Sequence, residues 1–324
     1  MQVGKEKFII AIDLGGTNLR VATVSFGGRI MQRVSIPTRA MDGVDAVIKR
    51  MTDKVIEMVG ADKIRQAAAL AVGAPGPTDP WAGVIISPPN LPQWVRVPLK
   101  QILEDRLQIK TFLGNDANVA ALGEHRFGAG KGTMHMIYMT VSTGIGGGII
   151  VDGKLLLGKN GGAGEIGHMT IDKDGPLCAC GNIGCLEAIA SGTAIATQTI
   201  RCLRSGERSS IRDEVGGDLS RVTAQVVVEE AMKGDQLAME IMHGAATAIG
   251  IGVVNLVNLF DPEKVIIGGG VSNAGPLLFD PVRRIVKDRA MDIAWQGLEI
   301  VPTALGDDVG LVGAAALALA ELRA

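Results

Sequence analysis

A strand, a glycine turn and a second strand follow one another twice in this chain, and that repetition constrains its fold more than any other feature. Near the start, the apolar run Phe8-Ile9-Ile10-Ala11-Ile12 meets Asp13-Leu14-Gly15-Gly16-Thr17-Asn18, and strand-like residues resume from Leu19 to Val24. From Met136 the grammar restarts: Met136 to Val141, then Ser142-Thr143-Gly144-Ile145-Gly146-Gly147-Gly148, then Ile149-Ile150-Val151. Short apolar runs bounded by turn residues are buried strands, and glycine supplies the tight reversal between them. One such unit near the start of each half predicts two related α/β domains facing each other across a cleft. A length of 324 residues suits two domains of roughly 100–200 residues each.

The intervening segments fit that plan. Val44 to Val59 has helical spacing, and Ala67 to Val72 is a buried strand ending in Gly73-Ala74-Pro75-Gly76-Pro77. Ser87 to Trp94, with three prolines, is loop, whereas Asn115-Asp116-Ala117-Asn118 opens an Ala-rich helix. A third glycine turn, Gly268-Gly269-Gly270-Val271-Ser272, follows the strand Val265-Ile266-Ile267. Gly310 to Leu322 is an Ala/Leu helix whose small residues suit close helix packing. Hydrophobic residues at 47% against 20% charged provide ample core. No apolar run approaches the roughly 18 uninterrupted residues of a membrane span. Met1 to Lys7 has no apolar core or cleavage site after it, so secretion is not expected. A net charge of −2 gives no footprint for nucleic acid or anionic lipid. The expectation is a cytoplasmic protein with no nucleic-acid or membrane partner.

The chain has 44 glycines, about twice the ~7% of average usage, and they are clustered. Backbone N–H groups converge on anionic oxygens only where no Cβ intervenes. Any one of the three turns reads equally well as a plain hairpin, but three in the same context favour a nucleotide. The candidate phosphate residues are Gly15, Gly16, Thr17 and Asn18, then Thr143 and Gly144, then Gly268, Gly269 and Gly270. Two similar runs do not qualify. Gly128-Ala129-Gly130-Lys131-Gly132-Thr133 resembles a P-loop, but glycine follows its lysine. Gly162-Ala163-Gly164-Glu165-Ile166-Gly167 satisfies G-x-G-x-x-G, yet His168 and a short strand-like Met169-Thr170-Ile171 follow it rather than a helix.

Phosphoryl transfer to a hydroxyl calls for a carboxylate to take the proton. Asp116 stands at a loop-to-helix junction, where capping is an equally good reading. Asp13, beside the first turn, could hold Mg²⁺ through water or satisfy turn amides. His168, Cys178, Cys180 and Cys185 form a Cys₃His set, most simply a closed structural zinc site. A disulfide is disfavoured in a cytosolic protein, and three cysteines would leave one over. Such a zinc would tie the loop carrying Glu187 back to His168 and fix the neighbourhood of Glu165. The imidazole nitrogen not on zinc would keep its N–H for a hydroxyl. Cys202 stands apart as an ordinary thiol. With aromatics at 3%, any sugar site here relies on hydrogen bonds more than on stacking.

The ordered set DLGGTNLR (13–20), GAPGP (73–77), PNLPQW (89–94), GNDANVAALGE (114–124), STGIGGG (142–148), GGAGEIGH (161–168), CACGNIGCLE (178–187) and GGGV (268–271) resembles the ROK family of sugar kinases and repressors, over nearly the whole chain. The resemblance implies a two-domain actin-like, ribonuclease H-like (ASKHA) α/β fold with an interdomain cleft. The expected division is a small domain at 1–114, with a helix at 310–324 packing back on it, and a large domain at 115–309 carrying the zinc loop. It implies ATP and Mg²⁺ as cofactors, with Asp116 as general base. Gly76, Asn90, Asn115, Asp116, Glu165, His168 and Glu187 are the implied contacts of a hexose, and glucose phosphorylated at its 6-hydroxyl is the first expectation. An N-acetylmannosamine or N-acetylglucosamine kinase is the alternative. A repressor of the family needs a DNA-reading module, and with strand pattern starting by Phe8 in a chain that is not basic, that reading is weak. A non-catalytic sugar-binding module is opposed by the retained phosphate turns. Family precedent implies a homo-oligomer, dimer or tetramer.

Overall fold

The computed structural model describes residues 7–323; Met1 to Glu6, on which the reading of a missing secretion leader rests, and Ala324, the last residue of the expected terminal helix, lie outside them. The described chain divides into two compact units. One comprises the chain up to Gly132 with Leu155–Ala163 and the chain from Ala304; the other comprises Thr133–Lys154 and Gly164–Thr303.

In the first unit, β1 (Phe8–Leu14), β2 (Asn18–Ser25) and β3 (Ile30–Pro37) form an antiparallel meander, and β4 (Ala69–Ala74) joins β1 in parallel. A two-residue hairpin, β5 (Thr78–Asp79) and β6 (Val84–Ile85), precedes β7 (Thr111–Asn115), which completes the sheet in the order β3-β2-β1-β4-β7. Strand alternation sends Ile10, Ile12 and Leu14 into one core and Ile9 and Ala11 into another. The first core is closed by α1 (Val44–Val59), α2 (Ala61–Ile64) and α3 (Leu99–Leu107) through Val47, Ile48, Met51, Ile64, Leu99 and Leu103. The second is closed by α4 (Asp116–Phe127) and α12 (Val309–Glu321), where Ala314, Ala315 and Ala318 face Ala69, Ala71 and Val119. Each fully buried Ile, Leu or Val contributes about 1.5–3 kcal/mol. The small residues of α12 do what their pattern predicts. A Cβ on Gly313 would stand 2.2 Å from the Val119 carbonyl oxygen, and one on Gly123 2.9 Å from Gly313 Cα. This packing on α12 holds α4 in the first unit, so the compact unit runs on to Gly132 rather than stopping at 114.

The second unit repeats the sheet. β8 (Met136–Val141), β9 (Ile145–Val151) and β10 (Lys154–Leu155) make the meander, and β11 (Lys264–Gly268) and β12 (Glu299–Pro302) add in parallel, giving β10-β9-β8-β11-β12. The glycine turn here is shorter than its sequence suggests. Only Ser142–Gly144 reverse the chain, while Gly146, Gly147 and Gly148 lie within β9 opposite Thr140, Met139 and Tyr138. Glycine is needed there for packing, since a Cβ on Gly147 would meet the Ile166 side chain at 2.4 Å. Met169-Thr170-Ile171 is not a strand either; a single bridge, Thr170 to Cys185, is all the pairing it makes. The helices are α5 (Leu186–Ala190), α6 (Gly192–Arg204), α7 (Ile211–Glu214), α8 (Ala224–Lys233), α9 (Gln236–Phe260), α10 (Pro276–Arg289) and α11 (Asp292–Trp295). By length and composition α9 could cross a membrane, but 67% of its apolar window is buried, against α10, α8, α5 and α6.

Candidate active site

In parallel sheets the loops that act lie beyond the carboxyl ends of the strands. In the first unit, β1, β4 and β7 bring Asp13 opposite Gly73, Gly73 opposite Gly114, and Ala74 opposite Asn115. The first glycine turn, the 73–77 loop and the Asn115-Asp116 junction therefore emerge side by side. Thr38 anchors the turn, its Oγ1 donating to the Gly15 carbonyl at 2.6 Å and its N–H to that of Thr17 at 2.8 Å. Thr17 and Asn18 are exposed, and Gly16 lies under Asn90, so that a Cβ there would stand 2.9 Å from Asn90 Cβ. Gly76 is half-buried in the neighbouring loop.

At the Asn115-Asp116 junction one side chain takes the cap. Asn115 takes the cap: its Oδ1 accepts from the N–H groups of Ala117 at 3.0 Å and Asn118 at 3.2 Å. Asp116 is then the exposed carboxylate of the first turn, within the positive field of the helix N-terminus, and one of its oxygens accepts from Ala117 N at 2.8 Å. Asp13 is more enclosed. It is nearly buried, ion-paired with Arg20, and set against Gly310. Burial pushes its carboxyl up, and the Arg20 guanidinium pulls part of the way back.

The second unit holds a cleft of about 820 Å³. Ser142 and Thr143 of the second glycine turn and Gly270 and Val271 of the third line one side, so these two turns share one cavity. Gly15 to Asn18, the first turn, belong to the other unit. The rest of the lining was not singled out from the sequence: Gly192 and Thr193 open α6, Thr223 and Ala224 open α8, and Gln225, Glu229, Met232 and Asn273 add polar and apolar walls. The signal was present in Ser191 and Thr223, each a residue type that starts helices. Ser191 Oγ caps Ala194 N and Thr223 Oγ1 caps Val226 N.

His168, Cys178, Cys180 and Cys185 converge, with their ligand atoms all within 4.8 Å of one another. Cys180 Sγ and Cys185 Sγ are 3.7 Å apart, as are Cys178 Sγ and His168 Nδ1. The edge of a tetrahedron with Zn–S bonds of ~2.3 Å is about 3.8 Å, so the donor set fits zinc in both chemistry and size. His168 turns Nδ1 to the thiols, leaving Nε2 for another partner. The Asn182 backbone N–H leads the effects that lower the Cys180 thiol, whereas burial and the neighbouring thiols push Cys185 up to about 12. A coordinated cation would override the rise at Cys185, because a ligating thiol is deprotonated outright. Glu165 is exposed just ahead of the 3₁₀ turn Ile166–His168. Glu187, on α5, accepts a hydrogen bond from Ile145 N at 2.8 Å.

The P-loop-like run at 128–133 already holds an anion of the protein's own. Ala129 N donates to Glu124 Oε2 at 2.7 Å, and Gly128 N and Gly130 N donate to the Glu124 carbonyl.

Against known families, the model described as the ROK family matches residues 9–321. The chain belongs to the ROK family. Among ROK proteins it is 39% identical to the glucokinase of Thermotoga maritima, over 95% of this chain and 96% of that one. It is 31% identical to the xylose repressor of Caldicellulosiruptor bescii, over 99% of this chain and 81% of that protein. The crystal structure of a ROK glucokinase from Streptomyces griseus in complex with glucose and AMPPNP superposes with a TM-score of 0.83 at 33% identity, covering 97% of this chain and 99% of that one. The fold is thus the two-domain ASKHA α/β fold that the motif resemblance implied, each unit built on one five-stranded mixed sheet.

Proposed function

We propose that this protein is an ATP-dependent hexose kinase of glucokinase type, moving the γ-phosphoryl group onto the 6-hydroxyl of glucose. One observation carries the assignment of the base. Asp116 is an exposed carboxylate at the head of α4, beside the loops that leave the carboxyl ends of β1 and β4, which suits it to take the hydroxyl proton. By the motif resemblance, Gly76, Asn90, Asn115, Glu165, His168 and Glu187 are the residues that would contact the hexose. In the cleft of the second unit, the N–H groups of the Thr143-Gly144 turn and the start of α8 suit phosphate. Val228, Val271 and Met232 offer an apolar wall to a base, and Gln225, Glu229 and Asn273 offer polar edges.

Asp13, through water, would share the magnesium that travels with ATP. That ion spreads the charge developing on the phosphates. The Cys₃His set would hold a structural zinc that fixes the loop from His168 to Glu187 without touching the reaction. A cytoplasmic homo-oligomer, with neither nucleic acid nor membrane as partner, completes the reading.

The test is ATP-dependent phosphorylation of a sugar panel. Glucose is expected to exceed N-acetylmannosamine and N-acetylglucosamine by more than tenfold in kcat/KM, about 1.4 kcal/mol. The amino sugars are the second reading because the residues just ahead of Glu165, namely Gly162, Ala163 and Gly164, are small and would leave room for an N-acetyl group. A tenfold preference for either would overturn glucose and keep the kinase. No turnover of any sugar would overturn both.

A further inference from the structure

The nucleotide turn is held from outside its own hairpin. Ser142 N donates to the Gly144 carbonyl, and Val141 pairs with Ile145. In an antiparallel ladder, hydrogen-bonded and non-bonded pairs alternate, so Ile145 directs its N–H away from β8. That N–H goes to Glu187 Oε2 at 2.8 Å. The same oxygen lies against Gly144, where a Cβ would come within 2.4 Å of it. Glycine at 144 therefore leaves space for this carboxylate as well as for phosphate.

Glu187 is one of several ties. Gly192 N donates to the Ser142 carbonyl at 2.7 Å, and Thr193 Oγ1 to the Thr143 carbonyl at 2.8 Å. A Cβ on Gly192 would stand 2.8 Å from the Ser142 oxygen. All these ties come from one short segment. Cys185 of the Cys₃His cluster is the N-cap of α5, Glu187 lies in its first turn, and Ser191 ends α5 and caps α6.

We propose that Glu187 is a positioning residue for the phosphate turn, so that the Cys185–Thr193 segment sets the nucleotide site in addition to the sugar contact assigned to Glu187 above. The inference rests on the kinase reading. It separates two demands on one carboxylate: Ile145 N–H needs only an acceptor oxygen, whereas a sugar hydroxyl paired to the other oxygen is sensitive to the loss of charge.

The two demands predict different behaviour of Glu187→Gln and Glu187→Ala. The probes are AMPPNP and glucose, each titrated alone by calorimetry, with Tm and the exchange rate of the Ile145 amide measured beside them. Glu187→Ala should weaken AMPPNP at least tenfold and speed exchange of the Ile145 amide. Glu187→Gln, whose amide oxygen can accept the same bond, should keep AMPPNP within about twofold and the amide protected, while both variants weaken glucose. AMPPNP binding to Glu187→Ala as to wild type, or an Ile145 amide equally protected in it, overturns the inference. So does an equal loss of AMPPNP in the two variants. If Glu187→Ala does not fold, a Glu187→Gln variant that folds but has lost AMPPNP overturns it, and one that retains both AMPPNP and the protected amide upholds it. Failure of the wild-type protein to bind AMPPNP overturns the kinase reading itself, and this inference with it.

Discussion

The two sheets have the same strand order, three antiparallel and two parallel, yet the chain spends its length in them differently. In the first, the third strand ends at Pro37 and the fourth begins at Ala69; in the second, the corresponding gap runs from Leu155 to Lys264. That longer excursion contains the Cys₃His cluster, α5 to α9 and most of the cleft wall. The shorter one contains α1 and α2, which close the core. The duplicated sheet is a frame, and the chemistry lies in what each copy attaches to its carboxyl ends. The first copy carries Asp116, and the second carries a cavity and the cluster of His168, Cys178, Cys180 and Cys185.

If that division of labour holds, the largest effect should come from the smallest change in the first unit. Asp116→Asn removes the base and leaves the Asn115 cap in place. Turnover should fall by about 10²–10⁴-fold while glucose and AMPPNP affinities stay near wild type. Steady-state kinetics with parallel titrations check it, and a wild-type kcat would remove Asp116 from the chemistry.

In the second unit, changes should act on binding rather than on the chemical step. Gly144→Val puts a branched side chain where Glu187 Oε2 stands. ATP KM should rise by about tenfold or more, roughly 1.4 kcal/mol, and glucose KM should rise with it because Glu187 is displaced. An unchanged ATP KM would reduce the turn to a hairpin. Metal analysis should find about one zinc per chain, and Cys180→Ser should lower that content together with Tm. A metal-free protein of full stability would break the assignment.

How much of this was legible depended on whether a residue's partners lay close in sequence. The strands around both turns, α1 at Val44–Val59 and the helix opened by Asn115 follow from local periodicity and capping, which the sequence states directly. The convergence of the Cys₃His set was legible because its four residues lie between His168 and Cys185. The length of the second turn was not, because Gly147 is required by Ile166, whose approach depends on tertiary packing. The cleft walls at Gln225, Glu229 and Asn273 were missed for the same reason: α8 and the 3₁₀ turn Gly270–Ala274 meet there from distant parts of the chain, and α8 carries no local signature of ligand binding. Glu187 was expected as a sugar contact through resemblance alone; its bond to Ile145, which spans 42 positions, had no local signal.

The comparison can be sharpened further at two glycine-rich runs that look alike in sequence and behave differently. Ser142 and Thr143 of the second turn lie exposed on a cavity, whereas the run at 128–130 is wrapped on Glu124, which is fully buried. Glu124 Oε1 accepts from Ala304 N at 3.0 Å and Leu305 N at 2.9 Å, and Oε2 accepts from Ala129 N at 2.7 Å. A Cβ on Gly128 would stand 2.1 Å from Oε2, so glycine is required there to admit a side chain of the protein itself. An ionised carboxylate is acceptor-only and suits several N–H groups at once; an amide has one oxygen and two donors. Glu124→Gln therefore turns an NH₂ group toward backbone N–H donors in a buried site, at a cost of about 1–3 kcal/mol. Urea unfolding should show that loss, while AMPPNP affinity at 25 °C stays within twofold of wild type. Loss of nucleotide affinity without loss of stability would mean that the 128–130 run binds phosphate after all, and the contrast between the two runs would fall.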